Sequence, residues 1–398
     1  MEYSAIIDLL RLSLSGELND VYISAHPDLI SSVNLNELYN FLSEHTIAPL
    51  FYDFNKFFSD ECDVKKVWRD STFRNIGYYY RLIHQQSQIF DAFQKNSIPI
   101  VVLKGTAAAK YYPKPELRGM GDIDLLVKPE DYDKAVNCLC DIGCVETTAQ
   151  SELEMGRHRS FHYNKIPIEL HHFFSLYVSA EKANELDSML FSNISLEDNM
   201  LPETENGLVL LSHIRQHLEE GLGLRQIIDW MMFVKCSLND ELWYKSFQYK
   251  AQKTGLETLA IVVTKMCQKY LGLTTENILW CQDADETVCD SLMQYVISCG
   301  NFGRSRDMLQ SGSASKVPSF KHPIKLLKYI QSHGEHNWKI LKKHSWLKPF
   351  AWIYQSCRYI KMAFKNKVGA KQLKSVYNEG ERRNEMFASL GIKESNLV

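Results

Sequence analysis

The sequence predicts an α+β chain in which a small mixed β-sheet is flanked by N-terminal and C-terminal helical regions. Three observations lead there. Apolar residues recur at helical spacing through residues 1–97, short β-branched runs take over from residue 98, and helical spacing returns from about residue 206. A chain of 398 residues, 45% of them hydrophobic, is long enough for two or three packed units. The expected division is a helical region at 1–97, a sheet-bearing core at 98–205, a helical domain at 206–310 closing a cleft against that core, and a basic, aromatic helical segment at 311–398.

In the first region, Leu38, Phe41 and Leu42 share a helix face, and Val67, Tyr78, Leu82, Ile89 and Phe93 stand among polar residues over 64–93. The pattern changes at "NSIPIVVLKG", where a turn-forming Asn96-Ser97 leads into a β-branched run ending at Gly105. "TAAAKYY" reads as a short helix and "DIDLLV" as a second strand. An amphipathic helix follows, opened by Pro129 and closed by Gly143. In "RSFHYNKIPIELHHF" two extended runs flank Asn164-Lys165, which predicts a hairpin whose second strand carries Glu169. The order helix, strand, helix, strand, helix, hairpin gives a mixed sheet. Helices then run from "ENGLVLLSHIRQHLEE" through Lys269 and Cys299, and "SGSASKVPS" (311–319) reads as a linker.

A formal net charge of −3 excludes a protein that coats nucleic acid with its whole surface. The ten cysteines are scattered, and Cys138, Cys140 and Cys144 lack the CxxC pairs of structural zinc sites, so they are expected to be reduced thiols. The first twenty residues carry acids at Glu2 and Asp8 and no basic leader, and no stretch approaches the ~20 apolar residues of a spanning helix. The expectation is a cytoplasmic protein that touches a membrane, if at all, from the inner face.

Asp122 and Asp124 carry the chemistry. Residues two apart on a strand face the same way, with α-carbons about 6.5–7 Å apart, so these carboxylates stand side by side while Ile123, Leu125 and Val127 face the core. Like charges this close need solvent, a shared proton or a cation. Two carboxylates that leave room for water and phosphate oxygens suit Mg²⁺, with Mn²⁺ as its substitute. Glu169, in the apolar run "IPIELHH", offers a third acid for a site that activates a hydroxyl and neutralises a polyphosphate leaving group. Taken alone, a D-x-D is more often a solvated strand end. Its setting here is a strand-to-helix junction, Lys104-Gly105-Thr106, where glycine lets phosphate approach the backbone, with Lys104 and Arg118 adding positive charge.

Strand, glycine turn, helix, arginine loop, D-x-D strand and a later acid resemble the nucleotidyltransferase superfamily that includes DNA polymerase beta. Within it, "LKG", "RGMGDIDLLV" and "IELH" look like an uncharacterised nucleotidyltransferase family, over about residues 98–235. The resemblance implies a polymerase beta-like core. It makes Asp122, Asp124 and Glu169 the metal ligands and catalytic acids, and it lines the triphosphate with Gly105 and Thr106. The superfamily's usual Gly-Ser is Gly105-Thr106 here, preceded by Lys104.

His171 shares a strand face with Glu169 and either touches the nucleotide site or holds a structural hydrogen bond. His172 points the other way. His213 and His217, four apart on a helix, form a cleft-facing polar stripe or a structural pair. Arg225 and Asp229 are either an ordinary helix ion pair or, by the resemblance, part of the second wall of the nucleotide cleft. Residues 321–367 hold eleven Lys or Arg and one acid among tryptophans and tyrosines. That pattern fits a solvated helix face, a helix lying on anionic lipid, or a contact with RNA or another acidic polymer. The expected function is Mg²⁺-dependent transfer of NMP from an NTP to an acceptor hydroxyl on a sugar, lipid-linked molecule, peptide or tRNA. The alternatives are a catalytically silent nucleotide-binding regulatory or assembly protein and a toxin-like enzyme that modifies tRNA.

Overall fold

The computed structural model describes residues 3–58, 62–148, 158–174, 180–301, 323–342, 344–365 and 382–392. The linker expected at 311–319 lies outside them. The fold is a mixed α+β one, with five strands among flanking helices: β1 Val101–Leu103, β2 Ile123–Leu126, β3 Val145–Glu146, β4 His158–Tyr163 and β5 Ile166–His171. Their order across the sheet is β1-β2-β5-β4-β3. Among these five strands β2 and β5 are the neighbours that pair in parallel, and this pairing sets Asp124 beside Glu169 and Leu126 beside His171. β4 and β5 are antiparallel, with His158 opposite His171. The turn between them holds Asn164 and Lys165 at φ of 47° and 69°, the two left-handed residues of a type I′ hairpin.

Strand alternation divides the sheet between two cores. Ile123, Leu125, Ile168 and Leu170 face a core completed by Leu82, Ile89 and Phe93 of the long helix Asp63–Lys95 and by Leu139 of the helix Tyr132–Asp141. Val101, Leu103 and Leu126 face a larger, helical core. That core joins Ile6 and Leu9 of the helix Ser4–Ser15 and Phe41 of Leu35–Glu44 to Leu211, Trp230 and Phe233 of the helices Glu203–Glu220 and Leu224–Cys236. The N-terminal helices and those after residue 203 thus pack as one body against the sheet. Asp124, Glu169 and His171 leave the same sheet face, toward a cleft walled by these helices.

Candidate active site

The site begins at Lys104, the residue after β1. Its backbone sits at φ 45°, ψ −135°, a conformation that costs a non-glycine residue about 1–3 kcal/mol and is retained where surrounding structure imposes it. Gly105 follows at φ 28° and opens the helix Gly105–Ala109. A β-carbon there would stand 3.5 Å from the backbone oxygen of Asp122, so space is adequate and the backbone conformation is what calls for glycine. The turn brings Lys104 Nζ to 2.8 Å from Asp124 Oδ1.

Asp122 stands one residue before β2, and Asp124 lies within it, 2% exposed. One oxygen from each of Asp122, Asp124 and Glu169 falls within 4.8 Å of the others, close enough to share a cation. His171 Nε2 lies 3.3 Å from Asp124 Oδ1 and 3.4 Å from Glu169 Oε2, and His158 Nε2 lies 3.8 Å from Glu169 Oε1. The charges respond to this crowding. Repulsion from Asp124, followed by burial, pushes Asp122 up to about 6. Burial also opposes ionisation of Asp124, but Lys104 and His171 outweigh it and hold that carboxyl below the usual range. Burial is the largest influence on Glu169 and works against its charge, but the hydrogen bond and charge of His171 together with Lys104 outweigh it and leave the carboxyl lowered. Burial works against charge on His171, yet its bonds to Asp124 and Glu169 raise its pKa. Three oxygen donors, one of them strained by its neighbour's charge, form a set that can hold a divalent cation such as Mg²⁺.

The acids open into a cleft of about 190 Å³ whose opposite wall is His213, Gln216, His217 and Arg225. Lys104, Gly105 and Arg118 also line it. The Nε2 atoms of His213 and His217 are 2.8 Å apart, and burial, reinforced by nearby positive charge, lowers both pKa values, His217 to about 3. Both rings are therefore neutral, and the pair belongs to the cleft wall. Arg225 donates from Nη1 to Gly119 O at 3.3 Å, while its buried Nε finds no hydrogen-bond partner among the described residues. Burial, then Arg118, lowers its pKa. A buried guanidinium N–H without an acceptor, on the wall opposite the acids, suits an incoming anion that a cation on those acids would accompany.

Three expectations change. Arg118 has little left to grip phosphate with, because its Nε and Nη2 bind Asp229 Oδ1 and Oδ2 at 2.7 and 2.6 Å, and Tyr112 donates to the same carboxylate at 2.7 Å. Asp229 pairs with Arg118 instead of Arg225, since a bidentate fork matches both carboxylate oxygens. The Thr106 hydroxyl donates to Gln86 Oε1 at 2.8 Å, so it is turned toward the long helix and away from the cleft, leaving the backbone of the turn for any phosphate contact.

A second, larger cleft of about 910 Å³ adjoins the first, between the N-terminal helices and the long helix. Tyr39, Arg74, Asn75, Tyr78, Arg81 and Met120 help to line it, and none of its lining residues is acidic. Gly119 and Met120 of the loop before β2 line this larger cleft while Gly121 and Asp122 line the smaller one, and Tyr78 donates its hydroxyl to Gly121 O.

A glycine turn after one strand, paired acids on the next and a third acid on that strand's parallel neighbour define a class, the nucleotidyltransferases. The chain belongs to one family within it, described as uncharacterised nucleotidyltransferase, whose match covers residues 31–272, more than half its length. The match begins well before the sheet and takes in the helices Leu35–Glu44 and Asp63–Lys95, beyond the 98–235 span of the motif resemblance, while the first helix, Ser4–Ser15, lies outside it. No curated protein and no solved structure matches the chain.

Proposed function

We propose that the protein is an enzyme that moves an NMP from an NTP to an acceptor hydroxyl, releasing pyrophosphate. The observation that carries this is the convergence of Asp122, Asp124 and Glu169 within 4.8 Å, facing a cleft whose far wall presents Arg225. Mg²⁺, or Mn²⁺ in its place, held by these acids would neutralise the phosphate oxygens and acidify the acceptor hydroxyl. Lys104, the Gly105-Thr106 backbone and Arg225 receive the phosphates. His171 holds Asp124 and Glu169 in register, and the Arg118–Asp229 pair fixes the loop that carries Gly119–Asp122. Glu169, ionised at neutral pH, orients the acceptor and passes its proton toward solvent. The acceptor oxygen bonds to the α-phosphorus as the bond to pyrophosphate breaks, and pyrophosphate leaves with the electron pair.

The smaller cleft has room for little beyond the polyphosphate, so the acceptor lies in the larger one. Its arginines and tyrosines, with no acid among the residues that line it, favour an acceptor that carries phosphate beside its hydroxyl, such as a tRNA end, a sugar phosphate or a lipid-linked phosphate. The protein acts in the cytoplasm on this reading. Among the described residues no helix is long and apolar enough to cross a membrane. The test is label transfer from α-³²P NTPs to a cell extract treated or not with phosphatase or ribonuclease. Loss of acceptor capacity on phosphatase treatment supports a phosphomonoester acceptor, and loss on ribonuclease treatment supports a tRNA end. Bound NTP with no transfer under any condition would instead make the chain a nucleotide-binding regulatory protein.

A further inference from the structure

The basic, aromatic stretch takes no part in the site above. It folds as a helical hairpin, Pro323–Asn337 and Ala351–Lys365 joined through two 3₁₀ turns, Lys339–Lys342 and Ser345–Phe350. The hairpin fills its own interior. Gly334 allows the chain at Ala351 to come against the first helix, Trp338 stacks on Tyr354 with ring centres 5.1 Å apart, and Gln331 donates to Lys348 O at 2.6 Å while accepting from Trp352 N at 3.1 Å. Leu341, Ala351 and Gln355 are buried.

Several apolar side chains near the turn end face outward. Trp346 is 70% exposed, Ile340 51% and Phe350 49%, with Trp352 and Ile353 exposed beside them. Lys348, Arg358 and Lys361 are exposed on the same hairpin, and residues 321–367 carry eleven cations against the single acid Glu335. Large apolar groups clustered in water mark a contact surface. We infer that this hairpin tip docks on an anionic lipid bilayer, its tryptophans and isoleucines entering the headgroup boundary while the lysines and arginines meet lipid phosphates. Two features select lipid over nucleic acid. Ile340 and Ile353 are aliphatic and offer no face for base stacking, and five exposed apolar residues, Ile340, Trp346, Phe350, Trp352 and Ile353, fall at the turn end, with Leu327 apart from them on the first helix.

The test is co-sedimentation of the full chain with phosphatidylcholine vesicles, with and without about 30% phosphatidylglycerol, at low and high salt. The wild type is expected to partition about tenfold or more better onto the anionic vesicles, an advantage removed by high salt. Trp346→Ser with Phe350→Ser should lower partitioning onto both vesicles about tenfold, and Lys348→Glu with Lys361→Glu should abolish the anionic preference. All four side chains are exposed, so an unchanged circular dichroism spectrum is the folding control. Failure to bind either vesicle would overturn the inference. So would tight binding to single-stranded RNA that the serine variant retains, or a dimer in solution that the serine variant dissolves.

Discussion

At Asp124 the protein keeps a carboxylate almost out of water, between a lysine at 2.8 Å and a histidine at 3.3 Å. Replacing Asp124 with alanine leaves Lys104 buried without its partner and should cost about 3–5 kcal/mol in chemical denaturation, with loss of label transfer by more than about 100-fold. Arg118→Met is expected to cost a similar 3–5 kcal/mol, because Asp229 would be left buried and unpaired. Thr106→Val should cost only about 1–3 kcal/mol, leaving NTP binding measured by calorimetry within a few-fold of wild type, because its hydroxyl serves Gln86. The acids were legible in the sequence because a carboxylate inside an apolar run demands a reason. The partners of Arg118 and Thr106 were not, since Asp229 lies 111 residues from Arg118 and Gln86 lies 20 from Thr106, and no local spacing encodes either pair.

Among the elements, the hairpin was plain from Asn164-Lys165 between two extended runs, and its turn carries a correctable strain. Lys165 sits at φ 69°, where glycine is at ease, so Lys165→Gly should raise stability by about 0.5–1 kcal/mol in urea titration. The strand β3 and the helix Ala180–Phe191 leave no clear pattern in the sequence. Two residues are too few to show a period, and that helix buries only Leu186 and Leu190. Nor does a sequence announce that β2 pairs in parallel with β5, although this pairing is what brings Glu169 to Asp124. His45 ties two helices together, accepting at Nδ1 from the Leu224 amide at 3.1 Å, and burial lowers its pKa from 6.5 to about 3. Below pH 6.5 the unfolded chain takes this proton first, so stability is complete above that pH and falls by up to about 1.4 kcal/mol per unit toward pH 3. Denaturation of His45→Gln across that window should show a shallower slope than wild type, and an equal slope would remove His45 from the explanation.

For the molecule as a whole, the cleft lies between two bodies: acids on the sheet, and His213, Gln216, His217 and Arg225 on the helices. A ligand that touches both walls stabilises the packed state. Mg²⁺ with NTP at about 100 times its dissociation constant should therefore add about 2.7 kcal/mol to unfolding, and much less in Arg225→Ala, where binding itself weakens. The three acids are assigned to nucleotidyl transfer, and incubation of the purified protein with each α-³²P NTP, Mg²⁺ and cell extract, beside a folded Asp122→Asn/Asp124→Asn variant, tests that role. The expected result is label on an extract component with the wild type and none with the variant. Equal labelling by both proteins would contradict the assignment of catalysis to this site.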